Sequence, residues 1–344
     1  MMDRSLESRI WGCLLGGAIG NAMGSPVENW HYERIEATYG KIEMPLDLGR
    51  IKTEDDYQIA RLYTQAYLRF RRAITPENLA KVWLEKFDRA DNFFWCLRNA
   101  LELLRRGISP RQSGLYNINT GSAIMAISPV GVFHMLEPDQ AYAEALSLAY
   151  MYQPKPDAHC AAALASGYAM AFKPDITPRE IANTILEHCL DESIQYWDDR
   201  KVSNIKEAVE IAIEIAGEFG TNWWDARQKI YEMLGQWHPI EPIEVLSIST
   251  CLFLMTRGEY TGGLIAGTNI GRDSDTIANI IGGLCGAMQG VNAIPAEWKE
   301  GVHEINPALY QSFKDMARDY VTILDEKWQH SNQCAKLMEQ LIYG

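Results

Sequence analysis

The chain has 344 residues, of which 32 are Lys or Arg and 45 are Asp or Glu, so its formal net charge is −13. With 47% hydrophobic and 22% charged residues, the composition is that of a globular chain with a sizeable core and excludes a disordered or fibrous protein. A nucleic-acid partner requires a surplus of Lys and Arg, so the acidic balance argues against one and favours a small cationic partner or a bound metal ion.

The cysteines and the apolar stretches favour a cytoplasmic location. The seven cysteines show no CxxC spacing, which is typical of reduced thiols in a core rather than of disulfides or a zinc ribbon. The first nine residues, MMDRSLESR, carry both charge signs and lack the apolar run of an export signal. The longest weakly polar stretches span about 11 to 13 residues, whereas a membrane span needs about 20. We therefore expect no membrane association, and the sequence leaves the oligomeric state open.

A stripe of glycines at every fourth position, Gly12, Gly16, Gly20 and Gly24, marks the first predicted helix. Glycine inside a helix costs about 1 kcal/mol relative to alanine, so such a stripe usually indicates that another backbone approaches closely. Glu28 follows this helix after a Ser-Pro turn. Taken alone, Glu28 would be an ordinary exposed residue.

The tetrad TEDD at 53–56 opens the next amphipathic stretch, which runs over 57–68. Thr and Asp are common helix caps, and acids suit the positive end of a helix dipole, so capping alone would explain the tetrad. A cap needs only one hydroxyl or carboxylate, however, whereas this tetrad supplies at least two carboxylates and a hydroxyl. Its acids are therefore candidates for a second role.

Apolar residues recur at three- and four-residue spacing over 80–87, 95–104 and 205–216, which predicts further amphipathic helices. Alternating runs rich in Val, Ile and Thr, bounded by Asn-Gly or Asp-Gly turns, are scarce, so no sheet is expected. The breaks between helices are too short for a linker. We predict an all-α fold in which residues 1–344 form a single compact domain.

The tetrad DSDT at 273–276 opens a second helix with a glycine stripe. The glycines of this stripe are Gly282, Gly286 and Gly290. Either the two striped helices pack against each other or each packs tightly on another element, and the sequence leaves both possibilities open. If they pair antiparallel, the end of the first helix lies beside the start of the second. Glu28 would then come within reach of Asp273 and Asp275.

Together the two acidic tetrads predict a metal site. Four or more like charges in one place repel each other unless cations neutralise them. Oxygen ligands suit a hard divalent ion such as Mg²⁺ or Mn²⁺, and the number of carboxylates would allow two such ions. Zinc is disfavoured, because no pair of His or Cys residues at metal-binding spacing accompanies the acids.

Five motifs of this chain resemble the ADP-ribosylglycohydrolase superfamily. They are GCLLGGAIGNAMGSPVE at 12–28, TEDD at 53–56, SAIMAISPVGVF at 122–133, NIGRDSDTIANIIGGLCGAMQG at 269–290 and IPAEW at 294–298. The motifs occur in the same order as in the superfamily and extend over most of the chain. The most specific of them is GxDxDT at the start of a helix rich in Gly and Ala.

The resemblance implies a compact orthogonal helical bundle that holds two Mg²⁺ or Mn²⁺ ions. It also implies hydrolysis of the bond from the ribose C1″ to a nitrogen or oxygen, in an ADP-ribosylated protein side chain or a smaller ADP-ribosyl or ribosyl conjugate. Glu28 matches the glutamate that closes the first family motif, and we expect it to orient or deprotonate the attacking water. The implied metal ligands are Thr53, Glu54, Asp55, Asp273, Asp275 and Thr276.

The chain departs from the family pattern near both the metal ligands and the substrate loop. Asn21 replaces the usual Asp of the first motif. Glu54 replaces the middle Asp of the TDDT-type tetrad, and a register in which Asp55 and Asp56 serve as ligands stays open. The substrate loop lacks the arginine that the family often has at the position of Ala126, and the Thr-His pair expected some 25 residues later is missing.

The expected substrate-binding residues are Gly121 and Ser122, in the loop that often contacts the adenosine half of ADP-ribose, and Arg272, next to the second tetrad. Because the substrate loop is altered, a second interpretation is also open. The chain could be a non-catalytic relative that binds ADP-ribose or is structural, as the jellyfish crystallins of the superfamily are. The retained Asp273, Asp275 and Thr276 favour the enzyme.

Overall fold

The computed structural model describes residues 5–87, 94–192, 202 and 204–344, most of which are helical. The α-helices in chain order are α1 (Leu6–Gly24), α2 (Tyr32–Tyr39), α3 (Asp55–Phe70), α4 (Pro76–Lys86), α5 (Trp95–Arg105), α6 (Ser128–Phe133), α7 (Pro138–Ala149), α8 (Lys155–Ala171), α9 (Pro178–Glu187), α10 (Ile205–Phe219), α11 (Trp223–Met233), α12 (Pro242–Met255), α13 (Tyr260–Asn269), α14 (Ser274–Gln289), α15 (Ala296–Ile305) and α16 (Pro307–Tyr343). No β-strand occurs within these ranges, so the prediction of an all-α fold is confirmed.

Local signals explain where several helices begin. The side chain of Thr75 accepts a hydrogen bond from the backbone N–H of Asn78 at 3.3 Å and caps α4. In the same way, Asn204 caps α10 by accepting from the backbone N–H of Glu207 at 2.8 Å. Such caps satisfy N–H groups that have no partner within the helix. The helices predicted over 80–87, 95–104 and 205–216 correspond to α4, α5 and α10.

The two glycine-striped helices, α1 and α14, pack antiparallel against each other. A Cβ atom built on Gly12 would lie 2.8 Å from the carbonyl oxygen of Gly286, and one on Gly24 would lie 2.2 Å from that of Ser274. Only glycine permits backbones to come this close. Of the two possibilities that the sequence left open, mutual packing is therefore the one that the structure contains.

The pair formed by α1 and α14 runs through the middle of a single compact helical domain. Helices α13 and α16 pack against α1, while α8 and α12 pack against α14. Both paired helices are buried along most of their length. Among the described residues, no helix combines the length and the apolar character needed to cross a bilayer, and this includes the 37-residue α16.

Candidate metal centre

Three carboxylates lie side by side where α1 ends and α14 begins. The hydroxyl of Ser274 donates a hydrogen bond to the carbonyl oxygen of Gly24 at 3.0 Å, which joins the two helix ends. A single 3-10 turn then leads the chain from α1 to Glu28. Carboxylate oxygens of Glu28, Asp273 and Asp275 lie within 4.8 Å of one another. The antiparallel pairing thus brings Glu28 to the second tetrad.

Burial and mutual repulsion disfavour the ionised form of these three carboxyl groups. Burial, followed by the charges of neighbouring acids, raises the pKa of Asp273 and Asp275 well above the ordinary value for aspartate. Burial is also the largest cause of the raised pKa of Glu28, and the charges of Asp55 and Glu54 add to it. The Oδ1 atom of Asp275 is buried and has no hydrogen-bond donor among the described residues. A bound cation would favour the ionised form of these carboxyl groups and would give the Oδ1 atom of Asp275 a partner.

The start of α3 supplies a second group of acids. Glu54 is the N-cap residue, and the helix begins at Asp55. The hydroxyl of Ser25 donates to the Glu54 carboxylate at 2.9 Å, and the amide of Asn279 donates to Asp56 at 2.8 Å. Asp56 is buried, and burial is the largest cause of its strongly raised pKa, followed by the charges of neighbouring carboxylates. Contacts to α1 and α14 therefore hold these acids beside the first group.

Thr53 does not join this second group. Its side chain is exposed, and its hydroxyl donates to the carbonyl oxygen of Arg50 at 3.0 Å. Glu54, Asp55 and Asp56 line the cleft described below, whereas Thr53 does not. The structure therefore brings Glu54, Asp55 and Asp56 to the cleft together, so the acids of both registers, Glu54 with Asp55 and Asp55 with Asp56, are present there.

Both groups of acids face one cleft, which has a volume of about 540 Å³. Its other lining residues are Asn29, Phe94, Trp95, Thr120, Gly121, Ser122, Met125, His238, Ile240 and Thr276. The predicted substrate contacts Gly121 and Ser122 and the predicted ligand Thr276 thus border the same cavity. The sequence did not single out Phe94, Trp95 or the loop between α11 and α12. The sequence signal for Phe94 and Trp95 is that two aromatic residues stand next to each other just before the apolar face of α5.

The loop that contains Gly121 and Ser122 is held in place by contacts with Asp157 and Cys96. The carboxylate of Asp157 accepts hydrogen bonds from the next two backbone N–H groups of this loop, at 2.8 and 3.1 Å. The hydroxyl of Ser122 lies 3.1 Å from the sulfur of Cys96 on α5. A Cβ atom on Gly121 would lie 3.6 Å from Oδ2 of Asp273. The loop backbone therefore borders the acids directly.

Arg272, the third predicted substrate contact, is not part of the cleft wall. Its guanidinium donates two hydrogen bonds to the carboxylate of Glu244, at 2.5 and 2.7 Å, and a third to the carbonyl oxygen of Trp237 at 2.6 Å. The backbone of Arg272 has a φ of +61°, a conformation that favours glycine. The structure thus gives its side chain a role in joining α12 to the start of α14.

The family of this chain follows from a comparison with known proteins. The family model for ADP-ribosylglycohydrolase matches residues 2–332. The chain belongs to the ADP-ribosylglycohydrolase family.

Two relatives of this chain are named as uncharacterized proteins. The uncharacterized protein YegU of Escherichia coli (strain K12) is 25% identical over 330 residues, which cover 91% of this chain and 97% of YegU. An uncharacterized protein of Archaeoglobus fulgidus is 27% identical over 313 residues, which cover 87% of this chain and 93% of that protein. A solved structure named as an ADP-ribosylglycohydrolase-related protein complex has the same fold, with a TM-score of 0.67 at 18% identity, and covers 93% of this chain and 99% of its own.

Asn21, which departs from the ADP-ribosylglycohydrolase pattern, lies directly behind the acids. It is buried, and its amide nitrogen donates to Oδ2 of Asp275 over 3.4 Å. An aspartate here would add another negative charge to a buried cluster, whereas the neutral amide partly compensates one. Asn21 therefore alters the charge of the centre without removing a residue from the cleft wall.

The residues present fit the divalent cations that the ADP-ribosylglycohydrolase family implies. All side chains of the two groups offer oxygen, the donor that Mg²⁺ and Mn²⁺ prefer. No Lys or Arg is found among the described residues that line the cleft, and the guanidinium of Arg50, outside its wall, lies 4.0 Å from the carboxylate of Glu54. Within the part of the chain that the structure describes, no donor reaches the buried Oδ1 of Asp275. Six carboxylates meet here: Glu28, Glu54, Asp55, Asp56, Asp273 and Asp275.

Proposed function

We propose that this protein is a metal-dependent hydrolase that cleaves the N- or O-glycosidic bond at the ribose C1″. The observation that carries the proposal is the approach of Glu28, Asp273 and Asp275 to within 4.8 Å, where the buried Oδ1 of Asp275 has no donor among the described residues. Buried acids at this spacing are costly for stability, and a catalytic metal site is the simplest reason to retain them. The substrate would be an ADP-ribosylated protein side chain or a smaller ADP-ribosyl or ribosyl conjugate.

The residues proposed to hold two Mg²⁺ or Mn²⁺ ions come from both tetrads. Asp273, Asp275 and Thr276 are kept from the metal ligands predicted from the sequence. Asp56 replaces Thr53, because Asp56 lines the cleft and Thr53 does not. The proposed ligands are Glu54, Asp55, Asp56, Asp273, Asp275 and Thr276. When bound, the ions would acidify a water molecule and bind ribose hydroxyls.

Glu28 is the proposed base. The amide of Asn29 donates to its Oε1 atom at 2.9 Å, so the carboxylate has a defined orientation next to Asp273 and Asp275. From there it would accept a proton from water as the water oxygen attacks C1″. That proton then passes from Glu28 to the leaving nitrogen or oxygen, which restores the carboxylate, and C1″ passes through a state with oxocarbenium character as its bond to the leaving atom breaks.

The experiment combines a metal titration with product detection. Melting temperature is measured with increasing Mg²⁺ or Mn²⁺, and products are detected by mass spectrometry with ADP-ribosyl-arginine, ADP-ribosyl-serine and simple ribosides. We expect the wild type to be stabilised by metal and to form product, and Glu28→Gln to be stabilised but to lack turnover. Glu304→Gln, an exposed acid on α15, is the matched control and should behave as the wild type. Near-normal turnover by Glu28→Gln would exclude Glu28 as the base.

A second candidate is a relative that binds ADP-ribose without catalysis or has a structural, crystallin-like role. The observation in its favour is the altered substrate loop, in which Met125 and Ala126 are buried and no arginine follows Met125. Such a protein would be stabilised by ADP-ribose and would form no product with any metal. For either candidate we propose a cytoplasmic location, since all seven cysteines are free thiols. Neither candidate involves nucleic acid or a membrane.

A further inference from the structure

Two aromatic side chains form one wall of the cleft and have no part in the core. Phe94 and Trp95 are 42% and 49% exposed, although both are large and apolar. Their ring centroids are 6.3 Å apart, with an angle of 38° between the ring planes. Large apolar side chains that stay exposed beside a polar cavity usually serve binding.

The aromatic wall lies next to the acids and not at the far end of the cleft. The backbone N–H of Phe94 lies beside the carboxyl of Asp55, and both residues line the cleft. The wall therefore begins next to one of the proposed metal ligands. The substrate group best placed to stack there is the one joined directly to the carbon at which the bond is broken. The distal base of a dinucleotide, separated by two sugars and two phosphates, would lie farther away.

The charge of the cleft also argues for a substrate without a pyrophosphate. Proteins usually bind phosphate groups with Arg, Lys or a helix N-terminus, and the N-termini of α3 and α14 at this cleft already carry acids in their first turns. Among the described cleft residues, His238 has the only basic side chain, and it stands beside six carboxylates. Met125 and Ala126 occupy the part of the loop where the family often has an arginine. A neutral sugar with a planar substituent is better matched to these walls.

We infer that the substrate is a riboside whose leaving group is a planar aromatic base, with Phe94 and Trp95 as the residues that select it. This inference rests on the proposed function and names its substrate class. In the reaction, the bond from C1 of the ribose to the base nitrogen breaks and a bond from C1 to the water oxygen forms. One proton of the water goes to the base nitrogen, so the products are ribose and the free base.

The experiment compares two substrates in the metal-loaded protein, inosine and ADP-ribosyl-serine, whose leaving group is an aliphatic hydroxyl. The variants are Phe94→Leu and Trp95→Leu, and the control is Trp328→Leu, an exposed tryptophan on α16. Stacking on one aromatic residue is worth roughly 5- to 150-fold, so each variant should lower kcat/KM for inosine by about that factor. The same variants should change kcat/KM for ADP-ribosyl-serine by less than about twofold, because its leaving group has no planar face to stack on Phe94 or Trp95.

Failure of this inference and failure of the proposed function give different results. Turnover of ADP-ribosyl-serine with none of inosine would overturn the inference and leave the hydrolase intact, and so would an equal loss on inosine and ADP-ribosyl-serine in the variants. If no conjugate is hydrolysed with either metal, the proposed function fails. Calorimetric binding of inosine to the metal-loaded protein then decides the role of the wall: weaker binding in Trp95→Leu supports base stacking, and unchanged or absent binding excludes it.

Discussion

Arg272 and Glu244 form an ion pair one residue before Asp273, in which the Arg272 side chain is only partly buried. The two hydrogen bonds of the pair measure 2.5 and 2.7 Å, and the Glu244 side chain has no exposed surface. Burial is the largest influence on the pKa of Glu244 and raises it to about 7, while Arg272 acts in the opposite direction. The pair connects α12 to the residue that precedes Asp273.

Removal of Arg272 alone should therefore destabilise the protein strongly. In Arg272→Met the carboxyl of Glu244 loses its partner while it stays buried, which costs about 3–5 kcal/mol of unfolding free energy. The double variant Arg272→Met with Glu244→Met should recover a large part of this loss, because no buried charge is left. Chemical denaturation of the three proteins measures both effects. If Arg272→Met were as stable as the wild type, the pair would have no structural role.

The glycines between α1 and α14 should tolerate no side chain. A Cβ atom at Gly286 would lie 2.0 Å from the carbonyl oxygen of Gly12, so Gly286→Ala must push two backbones apart. We expect a loss of about 1–3 kcal/mol or more in unfolding free energy. Gly217 lies on the exposed side of α10 with nothing within 4 Å of its Cβ position, and Gly217→Ala should instead stabilise by about 0.5–1 kcal/mol. Equal effects at both positions would contradict close packing of the pair.

The position of the acids around α3 gives a prediction about metal binding. Asp56 lines the cleft and Thr53 does not, so Asp56→Asn should reduce the rise in melting temperature that Mg²⁺ or Mn²⁺ produces. Thr53→Ala should leave that rise unchanged, because the Thr53 hydroxyl contacts only the carbonyl oxygen of Arg50. Thermal melts with and without a chelator measure the response. If Thr53→Ala reduced the rise in melting temperature and Asp56→Asn did not, the metal ligands would instead begin at residue 53.

Much of this site could be predicted from the sequence, because its acids occupy helix starts. The DSDT tetrad lies at the start of α14, and the glycine stripes indicate that another backbone approaches closely. The register at 53–56 could not be decided, since either choice supplies two acids. It depends on where α3 begins, and the hydrogen bond from Ser25 on the other side of the cleft helps to fix Glu54 as the N-cap.

Two other features of the structure could not be predicted from the sequence, each for a different physical reason. Arg272 precedes Asp273, so its position in the chain favoured a contact with substrate. In the structure the backbone of Arg272 is left-handed and its side chain binds Glu244 instead. Phe94, the N-cap residue of α5, is far from Asp55 in the chain and reaches the same cleft only in the folded structure. Contacts of this kind depend on tertiary packing, which local periodicity does not encode.

A cap remote from the cleft gives a pH dependence with a definite sign. Glu180 accepts hydrogen bonds from the backbone N–H and the hydroxyl of Thr177 and from Lys173, and these contacts lower its pKa from 4.5 to about 2. A carboxyl whose pKa is lower in the folded state stabilises the protein above pH 4.5 and loses that contribution as the pH falls towards 2. The difference in melting temperature between wild type and Glu180→Gln should therefore shrink from pH 6 to pH 3. A constant difference would mean that the contact does not depend on the charge.

The contact between the end of α1 and the start of α14 also determines at which stage of folding the acids of the metal centre come together. Ser274 and Gly24, which it connects, are 250 positions apart in the chain. Contacts of such separation form late, after the intervening segments have become ordered, and during synthesis they must wait until the later partner has been made. A nascent or partly folded chain therefore keeps Glu28 and residues 54–56 apart from Asp273 and Asp275. Repulsion between these separate segments arises when they come together, and a divalent cation available at that moment would favour completion of the fold.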